Sequence, residues 1–298
     1  MPRNPSPRPS RADAGGGIAP TILLTGGRGA IATHLLSLLR ASGHPVRVAS
    51  RAPARLRVPE DVARVACDLG DPATFPAALS GVTSVFLYAD ASHATEFADA
   101  AVAAGVRHVV LLSSAGVLAP DAADDPLAAG HLGAEEALLA APFTTTLLRP
   151  GSFAGNAAAW RRPIAAGLPI GLPYPGAHTD PLHERDIAEA AHRVLTDPGA
   201  QGGHFHLTGP ESLTFTDQAE RIATVTGRPV AVRAVAPEAW KEEMAAWLPG
   251  PYADALLRYW RAQDGVPVRL TDAVERLTGR PARSFTDWVR DHAGGFTG

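Results

Sequence analysis

The chain has 298 residues, a formal net charge of −3 at pH 7 and a single cysteine, Cys67. This length is enough for one large domain or for a core with a smaller appendage. The charge balance gives no sign of a nucleic-acid partner or of attraction to an anionic membrane. One cysteine excludes an internal disulfide framework and a multi-cysteine metal site. We therefore expect a cytoplasmic protein that binds neither nucleic acid nor membrane.

The first 19 residues are rich in proline, arginine, serine and glycine and contain no apolar stretch. Because a secretory signal needs an apolar segment, residues 1–19 are predicted to be a flexible leader. No uncharged apolar run in the sequence is long enough to cross a membrane as a helix.

From residue 20 onward, short apolar runs alternate with amphipathic segments, which is the pattern of β-α-β units. Strands are predicted over 21–25, 46–50, 62–66, 84–88, 106–113, 144–148 and 203–208. Helices are predicted over 30–40, 96–104 and 134–140, and from a D-x-x-E capping box at Asp186 to about Leu195. The near-continuous apolar strands predict a parallel sheet that is covered on both faces.

The composition changes after Pro150. Residues 151–180 are rich in glycine and proline, which is typical of a functional loop, and further helices are predicted around 216–226, 237–261 and 285–292. We therefore predict an α/β fold, a Rossmann-type doubly wound parallel sheet with a smaller, interleaved C-terminal substrate lobe. Its predicted parts are a dinucleotide-binding core (20–150), a substrate loop (151–180), remaining core elements (about 181–209) and a helical lobe (about 210–298).

The strongest motif is the segment Gly26-Gly27-Arg28-Gly29-Ala30-Ile31-Ala32, which lies between the first predicted strand and helix and matches G-x-x-G-x-x-A. The first glycine permits a tight turn, the second lets a pyrophosphate approach the backbone, and the small third residue lets helix and strand pack closely. Backbone N–H groups at the start of the helix would face the diphosphate. The motif therefore predicts a dinucleotide site that includes Gly26, Arg28, Gly29, Ala30 and Ile31.

The residue that ends the second strand indicates which dinucleotide is bound. An NAD enzyme places a carboxylate there to bind the ribose 2′-hydroxyl, whereas this chain has Ser50-Arg51. A guanidinium can pair with a 2′-phosphate, which a carboxylate would repel. We therefore predict that NADP(H) is preferred over NAD(H), with Arg51 at the 2′-phosphate and Arg28 as a second positive charge nearby.

Two other sequence patterns could indicate a ligand site. His178, Asp180 and His183 could supply zinc ligands, but they lie in a Gly/Pro-rich segment without a predicted helix face, so we predict no metal site. The aromatic residues outside the core either line a cavity for a planar or apolar substrate or form the core of the lobe. They are Trp160, Tyr174, Trp240, Trp247, Tyr252, Tyr259 and Trp260.

Several segments together carry a family resemblance, namely T-G-G-R-G-A-I-A at 25–32, A-G-V-R-H-V-V-L-L-S-S at 104–114, H-L-G-A-E-E at 131–136, L-L-R-P-G-S-F-A-G-N at 147–156, R-D-I-A at 185–188 and L-T-G-P-E-S-L-T-F at 207–215. In their order and spacing the chain resembles the NmrA-like, NAD(P)-binding branch of the atypical short-chain dehydrogenase/reductase superfamily. The resemblance runs from about residue 20 to residue 296.

The resemblance implies further contacts at strand carboxyl ends, where ligands bind in open α/β sheets. It implies that Asp68 lies near the adenine, that Tyr88 and Ala89 line the ribose side, and that Ser113 and Ser114 lie beside the nicotinamide. It also implies that the segment from Pro150 through Phe153 to Asn156 passes the nicotinamide end and helps to build the substrate cavity.

One segment departs from the superfamily. Typical members carry Tyr-x-x-x-Lys, in which the tyrosine is the general acid, but the corresponding segment here is His131-Leu-Gly-Ala-Glu135. His131 and Glu135 would share a helix face, and the carboxylate would stabilise a charged imidazole that delivers a proton near neutral pH. Alternatively, His131 caps or packs the start of the helix and Glu135 is solvated.

These observations predict an NADPH-dependent oxidoreductase that reduces a carbonyl, a quinone or another conjugated small molecule, with aromatic or apolar compounds among the candidates. Ser114 would hydrogen-bond the developing oxyanion, and His131 or a water would complete the protonation. Two alternatives stay open, a non-catalytic NADP(H)-sensing regulator of the NmrA type and a non-redox isomerase or cyclase on the same fold.

Overall fold

A computed structural model describes residues 21–297 of the chain, so the leader predicted over 1–19 lies outside the described residues. The strands are β1 (Thr21–Leu24), β2 (Val46–Ser50), β3 (Ala63–Ala66), β4 (Val82–Tyr88), β5 (His108–Leu112), β6 (Thr144–Pro150), β7 (Ile170–Leu172), β8 (His178–Thr179), β9 (His204–Leu207), β10 (Leu213–Thr214) and β11 (Val232–Ala234). The helices are α1 (Ala30–Ala41), α2 (Phe75–Leu79), α3 (Ala94–Ala103), α4 (Ala129–Leu139), α5 (Arg161–Ala165), α6 (Glu184–Thr196), α7 (Phe215–Thr226), α8 (Pro237–Met244), α9 (Gly250–Ala262), α10 (Ala273–Thr278) and α11 (Phe285–His292).

Seven strands form one parallel sheet in the order β3-β2-β1-β4-β5-β6-β9. The order reverses between β1 and β4, which is the switch point where doubly wound sheets bind ligands. Because every strand is parallel, the seven carboxyl ends meet at one edge of the sheet. The predicted Rossmann-type α/β fold is confirmed.

Helices cover both faces of the sheet, which explains why its central strands are almost entirely apolar. On one face α1, α6 and α10 pack through side chains that include Leu35, Ile187 and Val274. On the other face α2, α3 and α4 contribute Phe75, Phe97 and Leu138. All five residues of β5 are buried.

The start of α6 corrects one sequence prediction. The helix begins at Glu184, and its N-cap is His183, whose ring nitrogen accepts the backbone N–H of Arg185 at 3.2 Å. Asp186 does not cap the helix. Its carboxylate is fully buried and binds Arg280 and Arg283, so long-range partners take the side chain that the local pattern assigned to a cap.

The smaller lobe is built from α5, α7, α8, α9 and α11 with the short β7–β11 and β8–β10 pairs. A row of edge-to-face aromatic rings runs through it from Trp160 through Phe215 and Trp260 to Trp240, with centroid distances of 5.9, 5.3 and 5.0 Å. The helix predicted over 237–261 is two helices, since Pro249 begins a new one as its N-cap. The predicted structureless loop 151–180 contains α5, β7 and β8.

Among residues 21–297, no helix combines the length and apolar character that crossing a bilayer requires.

Candidate dinucleotide and substrate site

The turn between β1 and α1 is open at the positions where the motif predicts a diphosphate. Gly26 has a φ of +63°, a left-handed conformation that glycine adopts without strain. Gly29 is the N-cap of α1, no side chain caps the helix, and its first turn contains no acidic residue. Gly26, Arg28 and Ala30 are exposed. The unsatisfied N–H groups and the positive end of the helix dipole therefore fit an anion such as a diphosphate.

Tyr88, at the end of β4, forms one wall of this turn. A Cβ added at Gly26 would lie 2.4 Å from the Tyr88 ring, and one added at Gly29 would lie 2.9 Å from the Tyr88 hydroxyl. Burial raises the pKa of Tyr88 to about 12, although a hydrogen bond from the backbone N–H of Ala32 lowers the pKa by a smaller amount. The neutral phenol therefore stands beside the anion site as a possible hydrogen-bond donor, next to Ala89 on the same strand end.

The carboxyl ends of β2 and β3 lie side by side, where the adenosine half of a dinucleotide is expected. Arg51 follows β2, is exposed, and has no ion-pair partner within residues 21–297; the same holds for Arg28. Asp68 follows β3 and accepts the backbone N–H of Gly70 at 3.1 Å, so its carboxylate shapes the loop. No carboxylate stands at the end of β2, as the sequence predicts.

Cys67 lies beneath this region and is 6% exposed. Burial raises the pKa of its thiol to about 11, while a hydrogen bond with Thr74 acts in the opposite direction. The thiol is therefore protonated and inaccessible at neutral pH.

A buried ion pair connects α4 to the sheet, and sequence reasoning missed it. Glu135 is 1% exposed. Arg149, on β6, donates to both oxygens of its carboxylate, at 2.9 and 2.5 Å. Ser113 donates its hydroxyl proton to the same carboxylate at 2.5 Å. Ser113 is 3% exposed, so the structure gives its hydroxyl an internal partner rather than an open face.

This ion pair corrects the expected partnership of His131 and Glu135. The pKa of His131 is lowered by burial, and the opposing effect of Glu135 is smaller. The imidazole is therefore neutral at pH 7, instead of being held in its charged form. Glu135 is not solvated either, because Arg149 reaches it from the neighbouring strand.

His131 lines a cavity of about 390 Å³ at the carboxyl edge of the sheet. Its Nδ1 is buried and has no hydrogen-bond partner among the described residues. The other walls are the segment after β4, the segment before α4 and Tyr252 of α9. Tyr252 was one of the aromatic residues whose role the sequence left open, and the structure places it at this cavity. Trp240 and Trp260 instead pack inside the lobe.

Ser114 follows β5 and is half-buried. Its oxygen accepts the backbone N–H of Gly116 at 3.1 Å, which leaves the hydroxyl proton available for a ligand. Pro150 ends β6 and is buried, and Phe153 is half-buried against the core. The side chains predicted for the nicotinamide end thus lie at the carboxyl ends of the neighbouring strands β5 and β6.

The three residues weighed as zinc ligands have other partners. His178 binds Ser212 at 3.1 Å, Asp180 accepts the backbone N–H of Ser152 at 2.8 Å, and His183 caps α6. Within residues 21–297, no group of three or more His, Cys, Asp or Glu side chains is arranged to hold a metal.

Comparison with known proteins identifies a matching family and similar reductases. Residues 26–198 match a protein family described as NAD(P)H-binding. The chain is 34% identical over 280 residues to a (4-alkanoyl-5-oxo-2,5-dihydrofuran-3-yl)methyl phosphate reductase from Streptomyces griseus, covering 92% of this chain and 99% of that protein. It is 30% identical over 286 residues to an NAD(P)H azoreductase from Xenophilus azovorans, with coverage of 92% and 99%.

Solved structures share the fold. A triphenylmethane reductase from Citrobacter sp. in complex with NADP(H) has a TM-score of 0.77 at 21% identity, covering 92% of this chain and 99% of that one. An NADPH-dependent quinone oxidoreductase from Escherichia coli has a TM-score of 0.78 at 22% identity, with coverage of 91% and 99%.

The parallel sheet, the uncapped helix at its switch point and these relatives define an NAD(P)H-binding oxidoreductase. The family can be named as well. The chain belongs to the NAD(P)H-binding family, whose model it matches over residues 26–198.

Proposed function

We propose that this protein is an NADPH-dependent reductase of a small conjugated acceptor, such as a quinone or an α,β-unsaturated carbonyl compound, and that it prefers NADP(H) to NAD(H). The observation that carries the cofactor preference is the exposed, unpaired Arg51 at the end of β2, where an NAD enzyme has a carboxylate. The names of the relatives, which include an NAD(P)H azoreductase, support the class of acceptor.

Each part of the proposed site has a separate role. The N–H groups of Ala30 and Ile31 hold the diphosphate, and Arg51 and Arg28 pair with the 2′-phosphate. When the dinucleotide is bound, its nicotinamide supplies hydride. The Ser114 hydroxyl donates a hydrogen bond to the oxygen of the acceptor, where negative charge develops. The cavity beside His131 and Tyr252 holds the acceptor and keeps bulk water from it.

The test is oxidation of NADPH against a panel of quinones, conjugated carbonyl compounds and azo dyes, with cofactor binding measured in parallel by calorimetry. The proposal predicts turnover of at least one acceptor class and tighter binding of NADPH than of NADH. Ser114→Ala is expected to lower kcat by about 100-fold and to leave NADPH affinity unchanged, because the lost hydrogen bond acts in the transition state. Equal kcat in this variant would remove Ser114 from the mechanism.

A non-catalytic NADP(H) sensor is the second candidate, and one observation favours it. Typical superfamily members have a lysine at the last position of Tyr-x-x-x-Lys. At this position the chain has Glu135, whose carboxylate forms an ion pair with Arg149. A difference between NADP⁺ and NADPH affinity, together with no NADPH oxidation across the panel, would assign the protein to this class.

A further inference from the structure

The proposed reduction needs a proton as well as a hydride, and the residues at the usual tyrosine and lysine positions do not supply one. His131 is neutral and Glu135 is bound to Arg149. A second group of titratable side chains, formed by Ser152, Asp180 and Tyr259, lies at the carboxyl end of β6. We define these three residues as the Tyr259 triad.

The first part of the triad is a carboxylate packed directly against the backbone. A Cβ added at Gly151 would lie 1.9 Å from Asp180 Oδ2, so only glycine leaves room for this side chain. The Ser152 N–H donates to Asp180 Oδ1 at 2.8 Å, and the Leu182 N–H donates to the Ser152 carbonyl at 2.8 Å. Asp180 is 4% exposed. The loop after β6 and the segment after β8 therefore hold the carboxylate in a fixed position.

The third member comes from the lobe. The end of α9 is attached to the same segment, since the His178 N–H donates to the Gln263 carbonyl at 3.0 Å and the Gly265 N–H to the Gly176 carbonyl at 2.9 Å. Tyr259 lies near enough to Ser152 and Asp180 for both residues to act on the pKa of its phenol. The Tyr259 residue is 39% exposed, so a ligand can reach one side of it.

Helix α9 also joins the triad to the cavity. Tyr252 precedes Tyr259 by seven residues, which is two turns or about 10 Å on the same helix face. Tyr252 lines the cavity beside His131. The tyrosine face of α9 thus extends over the carboxyl edge of the sheet from the cavity to the loop after β6.

Resting on the proposed function, we propose that Tyr259 is the catalytic proton donor of the reaction, and that Ser152 and Asp180 are positioning residues that orient its hydroxyl and return its proton. The tyrosine reaches the site from the lobe rather than from α4. The missing general acid is thereby replaced by a residue of the same chemistry from another element.

The electrostatics agree with these roles. Burial, together with the charge of Asp180, raises the pKa of Tyr259 to about 12, so the phenol keeps its proton until the acceptor takes it. Burial raises the pKa of Asp180 to about 6, although hydrogen bonds with Ser152 act in the opposite direction. Asp180 therefore exchanges its proton close to physiological pH.

The proton balance closes with these three residues. For a carbonyl acceptor, hydride supplies both electrons of the new C–H bond while the C=O π bond breaks. The Tyr259 O–H bond breaks as the acceptor O–H bond forms. The Asp180 carboxylate takes a proton from solvent, Ser152 passes its hydroxyl proton to the phenolate, and the Ser152 oxygen takes the proton now held by Asp180, which returns the carboxylate to its charged form. One acceptor, one hydride and one solvent proton give one reduced product.

The first experiment compares Tyr259→Phe with Tyr174→Phe, which removes the hydroxyl of a tyrosine that packs against the lobe core. For Tyr259→Phe we expect kcat with a carbonyl acceptor to fall by about 100-fold or more, with NADPH affinity and acceptor KM near wild type. Tyr174→Phe is expected to keep the wild-type kcat. A kcat for Tyr259→Phe within about threefold of wild type would overturn the proposal.

The second experiment needs neither cofactor nor turnover, so it remains decisive if the proposed function fails. The phenol titrations of ¹³C-tyrosine-labelled protein are followed by NMR, and the Tyr259→Phe spectrum assigns the Tyr259 resonance. Asp180→Asn should lower the pKa of Tyr259 by at least about half a unit, because it removes a nearby negative charge. An unchanged pKa would overturn the coupling. Absence of NADPH binding in the wild type would instead count against the proposed function alone.

Discussion

Arg51 has no protein partner among the described residues, which sets it apart from the half-buried Arg149. Arg51→Ala should raise the Kd for NADPH by about 10- to 100-fold and leave the Kd for NADH unchanged, because a hydrogen bond to a charged group contributes about 1.5–3 kcal/mol. Titration of both cofactors measures the effect. Arg233→Ala, which removes an exposed arginine from the lobe, is the matched control for net charge. Equal losses for both cofactors would argue against a 2′-phosphate contact.

Asp180 should reduce the stability of the fold at neutral pH. Its folded pKa of about 6 lies above the ordinary value of 3.8, so the folded state binds more protons between these values and stability falls as pH rises through them. Asp180→Asn keeps an oxygen acceptor for the Ser152 N–H and removes the charge. We expect this variant to be more stable than wild type by up to about 3 kcal/mol at pH 7, with the difference shrinking as pH falls through 6 and becoming small near pH 4. Urea unfolding at both pH values measures this, and a pH-independent difference would contradict it.

At the level of single residues, the positions that could be predicted are those that follow from local sequence spacing. The glycines and Arg51 follow from spacing along one β-α-β unit. The partnership of Glu135 could not be predicted, because Arg149 and Ser113 reach it from two different strands. Tyr259 and Asp180 are 79 positions apart, and the end of α9 is attached to the chain at Gly176 and His178, just before Asp180.

At the start of α1, a substitution of Gly29 should affect cofactor binding much more than folding stability. Its φ is −78° and therefore ordinary for any residue, but an added Cβ would lie 2.9 Å from the Tyr88 hydroxyl, beside the proposed diphosphate site. Gly29→Ala should weaken NADPH binding at least about tenfold and change Tm by only a few degrees. Calorimetry and thermal unfolding measure the two effects. Gly294→Ala, where an added Cβ meets nothing within 4 Å, should change neither.

Among the elements, the strands and most helices matched their predicted positions because the apolar periodicity that defines them is local. The exceptions have tertiary causes. The D-x-x-E pattern at Asp186 resembles a capping box, but burial beside two arginines uses the aspartate differently. Helix α10 was not predicted, since six residues are too few to establish a period.

Across the whole molecule, the ion pairs of α6 hold the C-terminal segment against the core. Glu189, like Asp186, binds Arg280 and Arg283. Burial acts to raise the pKa of Glu189, but hydrogen bonds from the two arginines outweigh it and lower the pKa below the ordinary 4.5. Because the folded pKa is depressed, the stability from this group is present above pH 4.5 and is lost as pH falls through the folded value.

Glu189→Gln should therefore reduce the free energy of unfolding by about 1–3 kcal/mol at pH 7, and the difference from wild type should shrink as pH falls below 4.5. Urea unfolding at a series of pH values measures the effect, with Glu243→Gln on an exposed face of α8 as the control. A loss that did not diminish with falling pH would show that packing, rather than charge, is responsible.

The overall topology was predicted because right-handed β-α-β units leave few arrangements for alternating strands and helices. The structure of the lobe was not predicted, because its short strands and the break between α8 and α9 at Pro249 depend on contacts with distant segments. The sequence left open whether the lobe aromatics pack or line a cavity. They do both, with Trp240 buried and Tyr252 at the cavity.

The burial of Cys67 has a practical consequence for work on this protein. Since the one native thiol of the chain is shielded and protonated, a cysteine introduced on the outer surface of α9 would be the sole site open to maleimide reagents. A fluorophore attached there would report, without removal of any native residue, whether the tyrosine helix shifts when coenzyme or acceptor arrives.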